Sequence, residues 1–264
     1  MGLFPADEFS RRFREALSTL DGKTPSRSQE PSKVERSLRM SGMGECARRL
    51  YYGLLTPPAP SGATWQTLLG YAGQDIVAMG LRAMGYTLVD EEKEVEYEGI
   101  PGHIDGLLMG LDLGSSSAVW DAKLRNSFAL RDLLRYGLPA GDKVMWVQQQ
   151  GYLAATKAEL GMVTVLPFDL SDSRSRLRQY GMGELDPLIN RIVLKPDPET
   201  WQIIADRGQE LRLCAELKLV PEAEYDPLRD NFPCGYCPFQ DRCILQGKDS
   251  DFVVTPLPSK WNPD

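Results

Sequence analysis

The sequence predicts an α/β fold in which helices flank a mixed central sheet. Three observations lead to this prediction. Apolar residues recur at helical spacing in the first part of the chain, the period changes to two from Tyr86 onward, and helical patterns then alternate with a further strand. Neither an internal repeat nor a low-complexity segment interrupts this order. The 264 residues are enough for one large domain or two small ones.

Helices are predicted for the N-terminal part of the chain. Apolar residues at near-helical spacing predict a helix over 4–20 and a second one over about 34–54. The segment TPPAPSG at 56–62 then breaks the chain. A third, strongly periodic helix is predicted over 64–84.

The third helix is predicted to bury one broad apolar face. Helical spacing places Asp75 at the margin of that face and Gln74 on the opposite side. A carboxylate at such a margin costs free energy unless another group pairs with it. The six apolar residues of the predicted face are Trp65, Leu68, Ala72, Ile76, Met79 and Ala83.

Strands follow from Tyr86. The segment VEYEGIPGHIDGLLMG contains two strands joined by a Gly/Pro turn, and AVWDAKL at 118–124 makes a third, so an antiparallel meander is predicted. The remaining elements predicted from spacing are helices over 127–136 and 143–160, a strand over 162–170 and a long helix over 197–219.

The composition and the start of the sequence argue against a disordered, a membrane-spanning or an exported protein. An apolar fraction of 42% excludes global disorder. No stretch approaches the roughly 18 apolar residues of a membrane helix. The charged start MGLFPADEFSRR differs from a signal peptide. We therefore expect no membrane partner and a cytoplasmic location, in a bacterial or phage-infected host cell.

Charged residues are predicted to come together on two neighbouring strands. In GHIDG, His103 and Asp105 are two residues apart on a predicted strand and project from one face. In WDAK, Asp121 and Lys123 have the same relation on the next strand. Two carboxylates can hold a divalent cation that activates water, while a lysine stabilises the developing charge. The set is typical of phosphodiester hydrolysis.

Ordinary alternation at a protein surface would also place Asp and Lys on strands. The apolar residues Leu107, Val119 and Leu124 favour the functional interpretation, because they put these strands in the interior. An unpaired charge is costly there, and a bound cation would offset that cost.

The cysteines form a second pattern. Cys234, Cys237 and Cys243 follow the spacing C-x2-C-x5-C, and either Cys46 or Cys214 would complete a four-thiolate site. The spacing alone does not distinguish zinc from an iron-sulfur cluster.

A basic run near the N-terminus is the third pattern. The net charge of -7 argues against non-specific coating of nucleic acid, but seven basic residues against three glutamates lie between Lys23 and Arg49. The run is either a solvated helix face or a strip that contacts DNA phosphates. The residues expected to contact DNA are Arg36, Arg39, Arg48 and Arg49.

The order of these motifs resembles the PD-(D/E)xK nuclease superfamily. The resemblance covers about residues 40–245. Within the superfamily, the chain is most similar to the RecB-like branch, whose members include iron-sulfur CRISPR-associated exonucleases and their phage relatives. The resemblance rests on Asp105 in GHIDG, on Asp121 and Lys123 in DAK, and on QQQGY at 148–152. The resemblance implies a restriction-endonuclease-like core.

The resemblance also implies roles for single residues. Asp105 and Asp121 would bind Mg²⁺ or Mn²⁺, and Lys123 would be the catalytic lysine. Gln148 and Tyr152 would line the site or contact DNA; without the other motifs, an ordinary helix face would explain them.

For the cysteines, the resemblance implies a 4Fe-4S cluster that joins the N- and C-terminal segments. Cys214 then remains a core residue. The implied cluster ligands are Cys46, Cys234, Cys237 and Cys243. The corresponding regions are an N-terminal helical part (1–63), a nuclease core (64–195), a C-terminal helix with the cysteines (196–248) and a tail (249–264).

One feature of the branch is missing. Its members carry a metal-binding histidine in the helix before the meander, whereas the single histidine here is His103. The corresponding segment is LLGYAGQDIVAMG. We predict that Asp75 takes the place of that histidine as a ligand or as a partner of one.

The sequence therefore predicts a metal-dependent DNA exonuclease, acting on single-stranded DNA ends in recombination, repair or phage DNA processing. One alternative is a non-catalytic DNA-binding or adaptor module with a four-cysteine zinc site. Another is a metal enzyme for a small phosphorylated molecule, which the absence of a Gly-rich phosphate loop disfavours.

Overall fold

The computed structural model describes residues 11–12, 38–56, 65–110, 117–167, 190–247 and 249–258. They form the α/β fold that the sequence predicts. The helices are a short 3-10 helix (Met40–Gly42), α1 (Ala47–Leu55), α2 (Trp65–Ala83), α3 (Ser127–Tyr136), α4 (Lys143–Thr156), α5 (Pro198–Leu217), α6 (Asn231–Cys234) and α7 (Gln240–Gln246). The strands are β1 (Thr87–Val89), β2 (Glu94–Tyr97), β3 (Ile100–His103), β4 (Gly106–Met109), β5 (Ser117–Arg125), β6 (Leu160–Pro167) and β7 (Asn190–Leu194).

A five-stranded mixed sheet lies at the centre, in the order β1-β4-β5-β6-β7. The β5 and β6 pair is parallel, and every other pair in this sheet is antiparallel. A parallel pair needs a crossover connection, which α3 and α4 provide. Val119, Trp120 and Val163 are fully buried, which accounts for the apolar character of β5 and β6.

The predicted meander is divided between two sheets. Strands β2 and β3 form a separate antiparallel ribbon, whereas β4 joins the central sheet. Asp105 therefore lies between two strands and not within one. The ribbon packs closely on neighbouring elements, because a Cβ atom at Gly102 would be 2.7 Å from the Tyr152 ring and 2.9 Å from Met40.

The helix predicted over 34–54 differs in its described part, which begins at residue 38. The α-helix α1 begins only at Ala47, after the short 3-10 helix and after Gly44, where the chain passes close to α4. A Cβ atom at Gly44 would lie 2.6 Å from the Cα of Val144. The helix predicted over 4–20 lies outside the described residues except for 11–12, and the break at 56–62 lies outside them except for Thr56.

The predicted phase of α2 is wrong. Leu68 and Ile76 are 40% and 42% exposed, although the prediction placed both on the buried face. The buried face instead carries Gly73 and Gln74, since a Cβ atom at Gly73 would lie 2.1 Å from Leu124. Small residues let the helix approach β5, and the spacing of large apolar residues does not reveal this. Asp75 is half-buried beside this face. Its role as a metal ligand or as a partner of one stays a prediction.

The N- and C-terminal segments meet around two buried arginines. Arg48, on α1, donates to the carbonyls of Pro221, Gly247 and Asp249 at 2.6–2.8 Å. Arg207, on α5, donates to the carbonyl of Glu45 at 2.6 Å. Both side chains are 1% exposed. In the part of the chain that the structure describes, no helix has the length and apolarity needed to cross a membrane.

Candidate active site

Asp105 and Asp121 are brought face to face by the register of the central sheet. Gly106 pairs with Trp120, so the next residues along the two chains are Asp105 and Asp121. The backbone N–H of Ala122 donates to Oδ2 of Asp105 at 2.7 Å. Asp121 is 1% exposed. The two carboxylates therefore lie at the end of the β4 and β5 pair, in the interior of the fold.

The negative charge at this point is only partly compensated. Burial raises the pKa of Asp105 to about 8, and the neighbouring charge of Asp121 adds to the effect, whereas Lys123 and the Ala122 N–H oppose it. Lys123 Nζ lies 2.9 Å from Oδ1 and 2.7 Å from Oδ2 of Asp121. The lysine thus pairs with Asp121, whereas the raised pKa of Asp105 favours its protonated form.

The chemistry of this pair fits a hard divalent cation. Only Oδ1 of Asp121 accepts a hydrogen bond from the lysine; Oδ2 is buried and accepts none, despite its short distance to Nζ. A buried carboxylate oxygen without a hydrogen bond is the kind of ligand that Mg²⁺ or Mn²⁺ takes. Within the described ranges, however, no three His, Cys, Asp or Glu side chains are grouped so that they could hold a metal ion as they stand.

Gln148 and Tyr152 lie on α4 beside the carboxylates. Gln148 Nε2 donates to the Tyr152 hydroxyl at 2.9 Å, and the two side chains are 7% and 2% exposed. Burial raises the pKa of Tyr152, and the charges of Asp121 and Asp105 raise it further, so the phenol is close to both carboxylates. The structure thus brings together all five residues of the predicted D, DxK and QxxxY motifs, with the last two packed into the core.

Glu92 is an acidic neighbour that the sequence reasoning missed. Gln74 Nε2 donates to Glu92 Oε1 at 2.8 Å. The negative charge of Glu92 also contributes to the raised pKa of Asp105. The signal in the sequence was the run DEEKEVEY, which leads into the ribbon and includes β2; it is informative only once the pairing of β2 with β3 is known.

The cysteines of the predicted cluster share one corner of the molecule. Burial raises the pKa of the Cys234 thiol to about 11, and the charges of Cys46, Cys243 and Cys237 raise it in addition. All four are reduced and half-buried. Cys214 is fully buried in the core. The thiols of the corner are therefore close enough for the charge of one to affect the pKa of another. They are not arranged as a metal-binding group.

The basic residues proposed to contact DNA separate into different environments. Arg48 is buried and its guanidinium group donates to backbone carbonyls, so the prediction that it contacts DNA is wrong. Arg49 is partly exposed and pairs with Glu45 at 2.9 Å. Arg39 is exposed, and Arg36 lies outside the described residues.

Comparisons with known proteins give distant similarities of fold. No protein-family model matches the chain, and no curated protein matches it. The solved structures that are similar to it at low sequence identity include three that are described as exonucleases.

One is the alkaline exonuclease LHK-Exo from Laribacter hongkongensis, with a TM-score of 0.49 and 14% identity over 69% of this chain and 89% of that one. The same enzyme in complex with dAMP has a TM-score of 0.48 and 13% identity over 70% and 90%. A phage-related exonuclease from Haemophilus somnus 129PT has a TM-score of 0.46 and 14% identity over 69% and 96%.

Proposed function

We propose that this protein is a metal-dependent DNA nuclease with the site residues of the PD-(D/E)xK superfamily. The observation that carries the proposal is the face-to-face pair of Asp105 and Asp121, held by sheet register with Lys123 in contact with Asp121. Two largely buried carboxylates that face each other repel, and a protein gains nothing in stability from such a pair. A divalent cation held between them would offset this repulsion and would account for the arrangement.

Each residue of the site has a separate role in the proposed hydrolysis of a phosphodiester. When bound, Mg²⁺ or Mn²⁺ supplies a Lewis acid that polarises the phosphate and lowers the pKa of water. Asp105 and Asp121 hold the cation, for which Asp105 must give up its proton. Lys123 Nζ is placed to orient the attacking water and to stabilise negative charge on the phosphate oxygens in the transition state. Gln148 and Tyr152 fix α4 behind the carboxylates.

We further propose that the substrate is DNA with free ends, and that single-stranded ends are preferred. This part of the proposal rests on the resemblance of the D, DAK and QxxxY motifs to RecB-like exonucleases. The solved structures named above are also exonucleases by their descriptions.

The decisive experiment is a cleavage assay with anaerobically purified protein. End-labelled single- and double-stranded DNA is incubated with and without Mn²⁺, and the products are resolved over time. We expect removal of nucleotides from ends only with the cation, and loss of cleavage in Asp105→Ala, Asp121→Ala and Lys123→Ala. Near-normal cleavage in any two of these variants would show that the site is assigned wrongly.

A structural 4Fe-4S cluster completes the proposal. The proximity of Cys46 to Cys234, Cys237 and Cys243 supports it, although binding would require the thiols to draw together around the cluster. Such a cluster would stabilise the junction of the N- and C-terminal segments.

Metal analysis and absorbance test the cluster. We expect iron, acid-labile sulfide and a visible absorbance band that Cys46→Ser and Cys237→Ser lose and Cys214→Ser keeps. One zinc and no iron would show that the corner is a zinc site instead. If cleavage is absent as well, the non-catalytic DNA-binding or adaptor module becomes the better description.

A further inference from the structure

Helix α3 begins directly after β5, the strand that carries Lys123. Its N-terminus is fixed, because the Asn126 side chain accepts a hydrogen bond from the Ala129 N–H at 2.8 Å. Phe128 follows Lys123 by five residues, and five residues of chain span at most about 18 Å. The first turn of α3 therefore lies within a few nucleotides of the site proposed to cleave DNA.

This helix is amphipathic, and its solvent side carries two aromatic rings. Leu130 and Leu133 are buried in a cluster with Val163 of β6. On the solvent side, Phe128 is 55% exposed and Tyr136 is 40% exposed. The two aromatic residues are eight positions apart, which is about 12 Å along the helix axis. The exposed parts of both rings are open to a second molecule.

An arginine lies over each ring. The guanidinium carbon of Arg131 is 3.9 Å from the centre of the Phe128 ring, and that of Arg135 is 5.3 Å from the centre of the Tyr136 ring. One acid is also present, since Arg131 Nε donates to Asp132 at 2.8 Å. These five residues, which we call the α3 face, carry a net positive charge. Aromatic rings beside arginines are the combination with which proteins bind single-stranded nucleic acid, because rings stack on bases and arginines contact phosphates.

We propose that the α3 face binds the single-stranded end of the DNA substrate, with bases stacked on Phe128 and Tyr136 and phosphates contacted by Arg131 and Arg135. The inference rests on the nuclease function proposed above. A single strand is required, because the bases of a duplex are stacked on one another and cannot stack on a protein ring. Aromatic residues and arginines also occur at surfaces that bind proteins. The short stretch of chain from Lys123 favours DNA.

Equilibrium binding of oligonucleotides tests the inference without relying on cleavage. A fluorescein-labelled single strand of about 12 nucleotides is titrated with protein in the absence of added divalent cation, and fluorescence anisotropy gives the dissociation constant. We expect Phe128→Ala and Tyr136→Ala each to weaken binding by about fivefold or more, and Phe128→Tyr to bind like the unmodified protein. The matched control is Leu217→Ala on α5, where the side chain is also 55% exposed. It should leave the constant unchanged.

A strand of the same length made of abasic nucleotides separates stacking from charge, because it keeps the phosphates and offers no base. Phe128→Ala should bind this strand as tightly as the unmodified protein does. The double variant Arg131→Ala with Arg135→Ala should bind it more weakly and reduce the slope of log affinity against log salt by about 1 to 2. Equal weakening by Phe128→Ala on the normal and the abasic strand would mean that the ring acts through the fold, and would overturn the inference.

The outcomes also separate this inference from the proposed function. If Asp121→Asn abolishes cleavage while Phe128→Ala and Tyr136→Ala bind the normal strand like the unmodified protein, the nuclease site stands and the α3 face does not bind DNA. If Asp121→Asn cleaves at the normal rate while Phe128→Ala still weakens binding, the proposed nuclease site fails and the α3 face remains a surface for single-stranded DNA.

Discussion

The carboxylate site and the cysteine corner differ in how the chain assembles them and in how their buried charges are compensated. The carboxylate site is assembled over a short stretch of chain, by the register of β4 against β5. The cysteine corner is assembled over the length of the chain, by Arg48 and Arg207 reaching backbone carbonyls far away in sequence. In the site, like charges are placed together at a cost in stability. In the corner, buried charges are matched by acceptors and hold the fold together. Substitutions should therefore affect function in the first region and stability in the second.

The largest effect expected is on cleavage in the carboxylate site. Asp121→Asn removes one charge of the repelling pair with almost no change of shape. We expect cleavage to fall by at least about 100-fold, because a ligand and the partner of Lys123 are lost together. Thermal unfolding of the metal-free variant should change little, because relief of the repulsion from Asp105 offsets the loss of the ion pair with Lys123. A large drop in unfolding temperature would mean that the site is a structural element like the corner.

The second effect is on stability in the cysteine corner. Arg48→Met keeps the apolar part of the side chain but leaves three carbonyls without their donor. We expect the free energy of unfolding to fall by about 3 kcal/mol, since buried acceptors then lack a partner. Urea unfolding of metal-free protein measures it. The control is the adjacent Arg49→Met, whose side chain is 36% exposed and whose loss should cost less than about 0.5 kcal/mol. Equal effects of the two substitutions would contradict the structural role of Arg48.

The third effect is a pH dependence confined to the carboxylate site. The pKa of Asp105 is raised to about 8 in the folded protein from an ordinary value near 3.8. Between these values the unfolded chain ionises while the folded protein keeps the proton, so the metal-free protein loses stability as pH rises from about 4 to about 8.

Asp105→Asn removes this titration, and urea unfolding at several pH values measures the result. The variant should gain stability relative to the unmodified protein across that window, by on the order of 2–4 kcal/mol. The exposed Asp90→Asn serves as control and should show no such trend. A difference between Asp105→Asn and the unmodified protein that stays constant with pH would contradict the burial of this carboxyl group.

The smallest effect concerns DNA binding near the corner. Arg39 is exposed and Arg49 partly so, and both remain available for phosphates after the exclusion of Arg48. The double variant Arg39→Ala with Arg49→Ala should bind DNA more weakly and reduce the slope of log affinity against log salt by about 1 to 2. Filter binding over a range of salt concentrations measures it. An unchanged slope would assign both residues to an ordinary solvated surface.

The sequence predicts features that depend on residues close together along the chain better than features that depend on residues far apart. The association of Asp105 with Asp121 follows from strand spacing and a short loop, and the structure brings the two together even though Asp105 lies outside the strand predicted for it. The phase of α2 was wrong because Gly73, and not a large apolar residue, makes the closest contact with the sheet. The burial of Arg48 had no local signal, since its partners near Pro221 and Asp249 are reached only by tertiary folding. Strand β7 was missed for a related reason: its apolar residues form too short a run to be distinguished from a loop.

The reach of Arg48 has a consequence for the order in which the molecule is made. Its partner Asp249 follows it by 201 residues, and the partner of Arg207 at Glu45 precedes it by 162. A ribosome releases the strands that carry Asp105 and Asp121 well before it releases the carbonyls that Arg48 binds. Short-range contacts of the sheet can form during synthesis, whereas the junction must wait until the partners of Arg48 at Pro221 and Asp249 have been made. The junction therefore closes after the sheet, and until then the thiol of Cys46 stands beside a newly made chain that still lacks the three other cysteines of the corner.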